Sequence, residues 1–84
     1  MTYALEILRA AQRQLGRIAP QDQSRIIAAI QDLANDPRPL GSKKLTGRPA
    51  WRIRVGPYRV IYEVNDDRSS VLVVVVGHRS DVYR

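Results

Sequence analysis

A two-residue interruption, Gly56-Pro57, separates two segments of alternating apolar and polar residues and constrains the fold more than any other feature. The alternation in residues 51–55 and 58–64 is typical of β-strands that bury one face. Glycine followed by proline suits a type II′ turn, because the first central position needs a positive φ and the second has a φ that proline can adopt. The sequence therefore predicts a hairpin in which Val55 lies opposite Tyr58.

Side chains alternate between the two faces of a sheet, so this register divides the hairpin into two sets. We expect the first set to lie under helices: Ile53, Val55, Tyr58 and Val60. The second set shares the opposite face: Arg52, Arg54, Arg59 and Ile61. Arg54 falls directly opposite Arg59, and like charges in that position destabilise a sheet by roughly 0.2–1 kcal/mol. Guanidinium groups bind phosphate bidentately, so the pairing favours an anion site over the alternative, arginines splayed into water.

The rest of the chain predicts two helices and two further strands. Residues 8–18 and 21–35 place apolar side chains at helical spacing, and the short turn between them predicts an αα-hairpin. Residues 2–7 form a short strand, and residues 36–50 a polar loop punctuated by proline and glycine. Residues 71–76 are apolar on both faces, which is typical of an interior strand.

These elements define one domain over residues 1–84. The order β-α-α-β-β-β predicts an α+β fold, in which two N-terminal helices pack on one face of a small antiparallel β-sheet. A chain of 84 residues has room for a single domain with a thin core.

Composition narrows the classes of function. The net charge is +6, and residues 43–59 contain six cations and no acid, which indicates a polyanionic partner or a solvated basic surface. The chain lacks cysteine and has one histidine, His78, so we expect no disulfide, metal or cofactor. No apolar run reaches the ~20 residues of a membrane helix. We therefore expect a cytoplasmic protein without a membrane partner.

Five segments follow one another at a distinctive spacing: Lys43-Lys44-Leu45-Thr46-Gly47, Trp51-Arg52-Ile53-Arg54-Val55-Gly56, Tyr58-Arg59-Val60-Ile61-Tyr62-Glu63-Val64, Val76-Gly77-His78-Arg79 and Val82-Tyr83. In this order and spacing they resemble the RelE/ParE superfamily of toxins from type II toxin–antitoxin modules, and the RelE branch more than the ParE branch. The resemblance covers essentially the whole chain and implies a RelE-like fold. It also implies a ribosome-dependent mRNA endoribonuclease that cleaves A-site mRNA without metal, through attack of a ribose 2′-hydroxyl on the adjacent phosphate.

The resemblance assigns roles to individual positions. Arg59 and Arg79 match arginines that stabilise the scissile phosphate, and Tyr83 matches a tyrosine that stacks on or orients a nucleotide. Arg52 and Arg54 stand where well-known RelE members carry lysine. Arginine keeps its proton, so we expect electrostatic positioning from these two rather than general-base catalysis.

The remaining expectations concern proton transfer, RNA binding and partners. Histidine is the side chain best suited to exchange a proton near neutral pH, so His78 is a candidate proton acceptor. Lys43, Lys44 and Arg48 belong to the basic cluster and are expected to bind RNA phosphate. The expected partners are an acidic, RelB-like antitoxin and the ribosome with its A-site mRNA, and no sequence-specific DNA contact is expected from this chain.

Three alternatives stay open at this point. A ParE-like relative would poison DNA gyrase through protein–protein contact. A basic module without chemistry would bind nucleic acid with a strong salt dependence. An inactivated toxin would serve only as an interaction partner.

Overall fold

The structure of the chain is a computed structural model, and it describes residues 2–78. The described part contains two helices and five strands. In chain order these are β1 Ala4–Ile7, α1 Arg9–Gly16, α2 Pro20–Asp32, β2 Lys43–Lys44, β3 Ala50–Val55, β4 Tyr58–Asn65 and β5 Ser70–His78. Neither helix in this part of the chain is long and apolar enough to span a membrane.

The five strands form one sheet in the order β1-β5-β4-β3-β2. β5 lies between β1 and β4, so the prediction that residues 71–76 form an interior strand is confirmed. The pairs β2–β3, β3–β4 and β4–β5 are antiparallel, whereas β1 runs parallel to β5 with Leu5 opposite Val71. The sheet is therefore mixed, and the prediction of a wholly antiparallel sheet is wrong at β1. Alternating side chains do not reveal strand direction, because both kinds of pairing show the same period.

The loop predicted over residues 36–50 also contains a strand. Lys43 and Lys44 form β2, which pairs with β3 and places Lys43 opposite Arg52. A hydrogen bond from the Leu45 amide to the Ala50 carbonyl, at 2.8 Å, closes the connection to β3. Two residues are too few to show an alternating pattern, so this strand could not be predicted from the sequence.

The hairpin has the predicted register. Val55 pairs with Tyr58, Arg54 with Arg59, and Ile53 with Val60. Gly56 has a φ of +59°, the conformation that a type II′ turn requires at its first central position. Both faces of the hairpin are therefore assigned correctly from the sequence.

The core lies between the two helices and one face of the sheet. α1 contributes Ala11 and α2 contributes Ile26 and Ile30, all of them almost fully buried. From the sheet, buried side chains pack against these helices: Ile53, Val60, Tyr62, Val71, Val73 and Val76. α2 begins with Pro20 in its first turn, where the missing amide hydrogen costs nothing. It ends at Asp32, earlier than the predicted boundary at residue 35.

β5 contains a bulge that shifts its register against β4. Ile61 lies opposite Val75, but the next residue, Tyr62, lies opposite Val73, so Val74 is an extra residue. An extra residue sends every later side chain of the strand to the other face. As a result, Val73 and Val76 are both buried, Gly77 lies opposite Arg59, and His78 lies opposite Tyr58.

α1 supplies a partner for β5 just beyond the bulge. The Val76 amide donates a hydrogen bond of 2.9 Å to Oε1 of Gln14. β1 pairs with β5 only as far as Val73, so this amide lies past the end of that ladder. The Gln14 side chain therefore replaces a backbone partner at this position.

Candidate nucleic-acid interface

Four cations share the sheet face that points away from the helices. Lys43 of β2 lies opposite Arg52 of β3, and Arg54 of β3 lies opposite Arg59 of β4. We call Lys43, Arg52, Arg54 and Arg59 the basic face. Residues directly opposite have Cβ atoms about 4.5–5.5 Å apart, so the two pairs form one continuous patch across three strands.

The basic face is partly buried. Arg54 is exposed, whereas Arg52 is only 8% exposed and the Nε and Nη1 atoms of Arg59 are shielded from solvent. Ala50 and Ile61 on the same face are also buried. The alternative of arginines splayed into water therefore fits Arg54 alone. Guanidinium groups gathered on one face of a sheet can bind phosphate oxygens bidentately, so the basic face suits an anionic ligand.

Carboxylates are scarce around the basic face. Glu63 shares that side of β4, but it lies four residues along the strand from Arg59, which is roughly 13 Å. Two ion pairs elsewhere in the described structure join Arg25 to Asp22 and Arg38 to Asp66. A patch that concentrates positive charge in this way attracts polyanions.

A depression of about 300 Å³ lies beside the arginines. Its lining comes from the loop before β2, from β2 and from β3: Leu40, Gly41, Lys43, Arg52, Ile53 and Arg54. The depression therefore adjoins the Arg54–Arg59 pair on the side of β2. It combines three cations with an exposed leucine, a combination that the sequence analysis did not identify.

His78 does not join the basic face. Its ring meets that of Tyr58 edge-on, with 5.9 Å between ring centroids and 81° between the planes. Tyr58 packs against the core under the helices, so His78 lies on the opposite side of the sheet from Arg59. The hypothesis that His78 accepts a proton from RNA at the basic face does not agree with this position, and the bulge at Val74 is the physical reason.

The other described residues that were predicted to bind RNA, Lys44 and Arg48, do not lie on the basic face. Lys44 lies opposite Trp51 on the helix side of the sheet, with Nζ 5.8 Å from the centre of the indole ring. Arg48 is exposed in the turn between β2 and β3. Arg79 and Tyr83 lie outside the described residues. The structure thus brings Lys43 to the arginines, but not Lys44.

Sequence reasoning missed a second cluster, which anchors the loop before β2. The Arg38 guanidinium lies over the Trp51 ring, 4.6 Å from its centre, and binds Asp66 in the β4–β5 turn. Hydrogen bonds from Arg38 and then from the Tyr3 hydroxyl lower the pKa of Asp66. The same bond to Asp66 raises the pKa of Tyr3. These residues are far apart in sequence and follow no motif, so no local signal could have revealed them.

The described residues were compared with the side-chain clusters that bind metal ions in proteins. Among residues 2–78, no three histidine, aspartate or glutamate side chains come together as metal ligands would. The chemistry that the basic face can perform is electrostatic. It can bind phosphate oxygens and stabilise negative charge that develops on them.

Comparison with known proteins agrees with this geometry. Residues 5–83 match the family described as "ParE toxin of type II toxin-antitoxin system, parDE". Toxin RelG of Mycobacterium tuberculosis (strain ATCC 25618 / H37Rv) is 30% identical over 88 residues, which span 100% of this chain and 99% of RelG.

Solved structures show the same fold. A chain of the toxin–antitoxin complex RelBE2 from Mycobacterium tuberculosis superposes with a TM-score of 0.82 at 26% identity, over 94% of this chain and 100% of that one. A chain of the archaeal RelE–RelB complex from Pyrococcus horikoshii OT3 gives 0.81 at 25% identity, over 98% and 100%.

The fold and these relatives define a toxin of a type II toxin–antitoxin module. The chain belongs to the ParE toxin family, within the RelE/ParE superfamily. The resemblance drawn from the sequence is therefore confirmed.

Proposed function

We propose that this toxin is a ribosome-dependent endoribonuclease that cleaves mRNA in the ribosomal A site. The observation that supports the proposal is the Arg54–Arg59 pair, held directly opposite across β3 and β4. The arrangement opposes stability, since the two like charges repel, and it suits a ligand that carries negative charge between them. A phosphodiester of RNA is such a ligand.

The reaction is a transesterification. The ribose 2′-oxygen forms a bond to the adjacent phosphorus, and the bond from phosphorus to the 5′-oxygen of the next nucleotide breaks. The products are a 2′,3′-cyclic phosphate and a 5′-hydroxyl, with the proton from the 2′-hydroxyl balanced by the proton that the leaving oxygen gains. The transition state carries extra negative charge on the phosphate oxygens, and preorganised guanidinium groups stabilise it.

The residues of the basic face contribute charge and position rather than a base. Arginine stays protonated at physiological pH, so Arg52, Arg54 and Arg59 cannot accept the proton of the 2′-hydroxyl. His78 lies on the other side of the sheet, so we expect His78→Ala to cleave at close to the wild-type rate. Arg79 and Tyr83 keep their proposed roles, phosphate stabilisation and nucleotide stacking, from the resemblance alone.

The proposed macromolecular partners follow from the same proposal, a toxin that acts on ribosome-bound mRNA. A RelB-like antitoxin, acidic and partly disordered before binding, would neutralise the +6 chain in the cytoplasm. The related structures of RelBE2 and of the archaeal RelE–RelB complex are toxin–antitoxin complexes, which supports this partner. Any promoter DNA contact is assigned to the antitoxin.

Primer extension on a defined mRNA tests the enzyme, with purified toxin added in the presence and absence of translating ribosomes. We expect cuts inside A-site codons only when ribosomes are present. Arg54→Ala and Arg59→Ala should each lower the cleavage rate by about 100-fold, the usual loss for one group that stabilises transition-state charge. Arg13→Ala, on the exposed part of α1, is the matched control and should cleave normally.

The second candidate is a DNA gyrase poison, and the description of the matching family as ParE toxin favours it. In that case the basic face would be a docking surface for protein. A gyrase supercoiling and cleavage assay with the same preparation separates the two functions. Inhibition of gyrase by a toxin that leaves ribosome-bound mRNA intact would overturn the endoribonuclease proposal.

A further inference from the structure

The depression beside the basic face has features of a nucleotide subsite. We propose that it holds the RNA nucleotide next to the scissile phosphate, with Lys43 and Arg54 on its phosphate and Leu40 against its ribose or base. This inference rests on the proposed function, because the neighbouring phosphate is the one placed between Arg54 and Arg59. It assigns Leu40 as a contact residue that no catalytic role requires.

Leu40 is the first observation. Its side chain has a relative exposure of 106%, so essentially none of it packs on the protein. The other large apolar residues that are exposed in residues 2–78, Leu8 and Ile27, have values of 42% and 39%. A single exposed leucine is ordinary on a surface, but this one forms the rim of the depression that contains three cations.

The loop that carries Leu40 is anchored on both sides. The Tyr62 hydroxyl donates to the Pro37 carbonyl at 2.8 Å, and the Ser42 amide donates to the Pro39 carbonyl at 2.9 Å. Gly41 has a φ of +94°, a conformation that other residues rarely adopt, so the turn after Leu40 depends on glycine. The exposure of Leu40 is therefore built into an anchored loop.

The charges around the depression match a nucleotide. Lys43 and Arg54 are exposed and available to a phosphate, while Arg52, 8% exposed, lies between them on the same face. Single-stranded RNA presents an anionic backbone and a base whose flat face is apolar, and proteins bind it with cations and apolar or aromatic side chains together. The depression supplies both kinds of contact.

The position of the depression relative to the Arg54–Arg59 pair indicates the path of the RNA across the sheet. Lys43 on β2 and Arg59 on β4 are separated by two strand spacings, about 10 Å. An RNA strand with one phosphate between Arg54 and Arg59 therefore crosses β3 to bring its next nucleotide toward Leu40 and Lys43. This continuity with the phosphate site favours RNA over an acidic peptide as the occupant.

The test is an NMR titration of the full-length ¹⁵N-labelled toxin with an RNA dinucleotide that carries a 2′-deoxy sugar at the cleavage position and a phosphate group at each end. We expect amide shift changes at Leu40, Gly41 and Lys43 together with changes at Arg54 and Arg59. Leu40→Ser should weaken binding by about fivefold, as expected from losing most of the burial of one apolar side chain. Leu8→Ser, which removes an exposed leucine far from the depression, should bind like the wild type.

The possible outcomes separate this subsite from the proposed function. Shift changes at Arg54 and Arg59 without changes at residues 40–43, or wild-type affinity in Leu40→Ser, would overturn the subsite and leave the endoribonuclease standing. Binding at residues 40–43 by a toxin that never cleaves mRNA on ribosomes would refute the enzyme and, with it, a scissile phosphate beside the depression, while the depression itself would stand as a site for RNA. Stronger shifts at the same amides with a short glutamate-rich peptide than with the dinucleotide would assign the depression to an acidic protein instead.

Discussion

The Arg38 guanidinium binds both carboxylate oxygens of Asp66, with Nη2 2.8 Å from Oδ2 and Nη1 3.3 Å from Oδ1. The Tyr3 hydroxyl donates to the same carboxylate at 2.7 Å. Through this one carboxylate, the loop after α2, the β4–β5 turn and the segment before β1 are held together. The cluster lies outside the basic face, yet it anchors the loop that leads to Leu40.

Asp66 should make the stability of the toxin depend on pH in the acid range. Because its pKa is lowered in the folded chain, its contribution is complete above the ordinary carboxyl value of 3.8. The contribution is lost as the pH falls through the lower value of the folded state. We expect Asp66→Asn to lower the free energy of unfolding at pH 7, and the difference from wild type to shrink as the solution is acidified.

Urea denaturation at pH 7 and at several acid pH values measures this difference. Asp67→Asn is the matched control, since Asp67 is exposed in the same turn and bonds to neither Arg38 nor Tyr3 in the described structure. Equal stabilities of Asp66→Asn and wild type at pH 7 would contradict the assignment.

Tyr62 should stabilise the fold through its hydroxyl as well as its ring. The side chain is fully buried and donates to the Pro37 carbonyl at 2.8 Å. Tyr62→Phe keeps the ring but leaves that carbonyl without its donor, so we expect a loss of about 1–2 kcal/mol in the free energy of unfolding. Chemical denaturation at pH 7 measures it, and a loss smaller than the error would show that water replaces the hydroxyl.

Tyr62 should also make the stability of the fold decrease at alkaline pH. Burial raises the pKa of Tyr62, so the folded chain keeps the phenol proton that the unfolded chain begins to lose near pH 10.0. Stability must then fall as the pH rises above that value. Tyr62→Phe should reduce this fall without abolishing it, because the pKa of Tyr3 is raised as well. An unchanged alkaline slope in Tyr62→Phe would place the effect elsewhere.

Gln14 should protect the end of β5. Its Oε1 accepts from the Val76 amide at 2.9 Å, beyond the last residue that β1 pairs. Gln14→Ala leaves this part-buried amide without its acceptor, which costs about 1–2 kcal/mol. Amide hydrogen exchange at Val76 should become faster, more than at Val60 on the paired strand.

A matched control for this exchange experiment is Gln31→Ala, on the exposed part of α2. It makes the same change in helix propensity without touching β5. If both variants accelerate exchange at Val76 equally, the effect is global and the Gln14 contact does not protect the strand.

Local chemistry predicted the parts of the fold that depend on neighbouring residues. The hairpin register follows from Gly56-Pro57 alone, because a two-residue turn permits one pairing of the strands. The helices follow from apolar spacing. The partner of β1 did not follow, since Leu5 pairs with Val71, and no local pattern distinguishes a parallel partner from an antiparallel one.

The candidate site was predictable up to the bulge in β5. The Arg54–Arg59 pair follows from the hairpin, but residues 73–76 are all valine, so no change of pattern marks the extra residue Val74. If the register at Asn65 and Ser70 continued without a bulge, His78 would share the face of the arginines. The depression at Leu40 was equally hidden, because it needs the two-residue strand β2.

We expect Arg54 to lower the free energy of unfolding of the toxin. It is exposed and lies directly opposite Arg59, so Arg54→Gln removes a repulsion without opening a cavity. We expect the free energy of unfolding to rise by roughly 0.2–1 kcal/mol at low salt and the gain to shrink as salt screens the pair. Arg52 is unsuitable for this test, because it is buried and its replacement would also disturb packing.

The same variant should lose activity while it gains stability. Ribosome-dependent cleavage by Arg54→Gln is expected to fall about 100-fold, since the neutral amide cannot stabilise charge on the phosphate. Arg68→Gln, exposed in the β4–β5 turn and outside the basic face, should change neither quantity by a comparable amount. A variant at Arg54 that is less stable than wild type would mean that the arginine is structural. If Arg54→Gln instead cleaves at the wild-type rate, Arg54 does not bind the scissile phosphate. The repulsion between Arg54 and Arg59 would then have no role in the reaction.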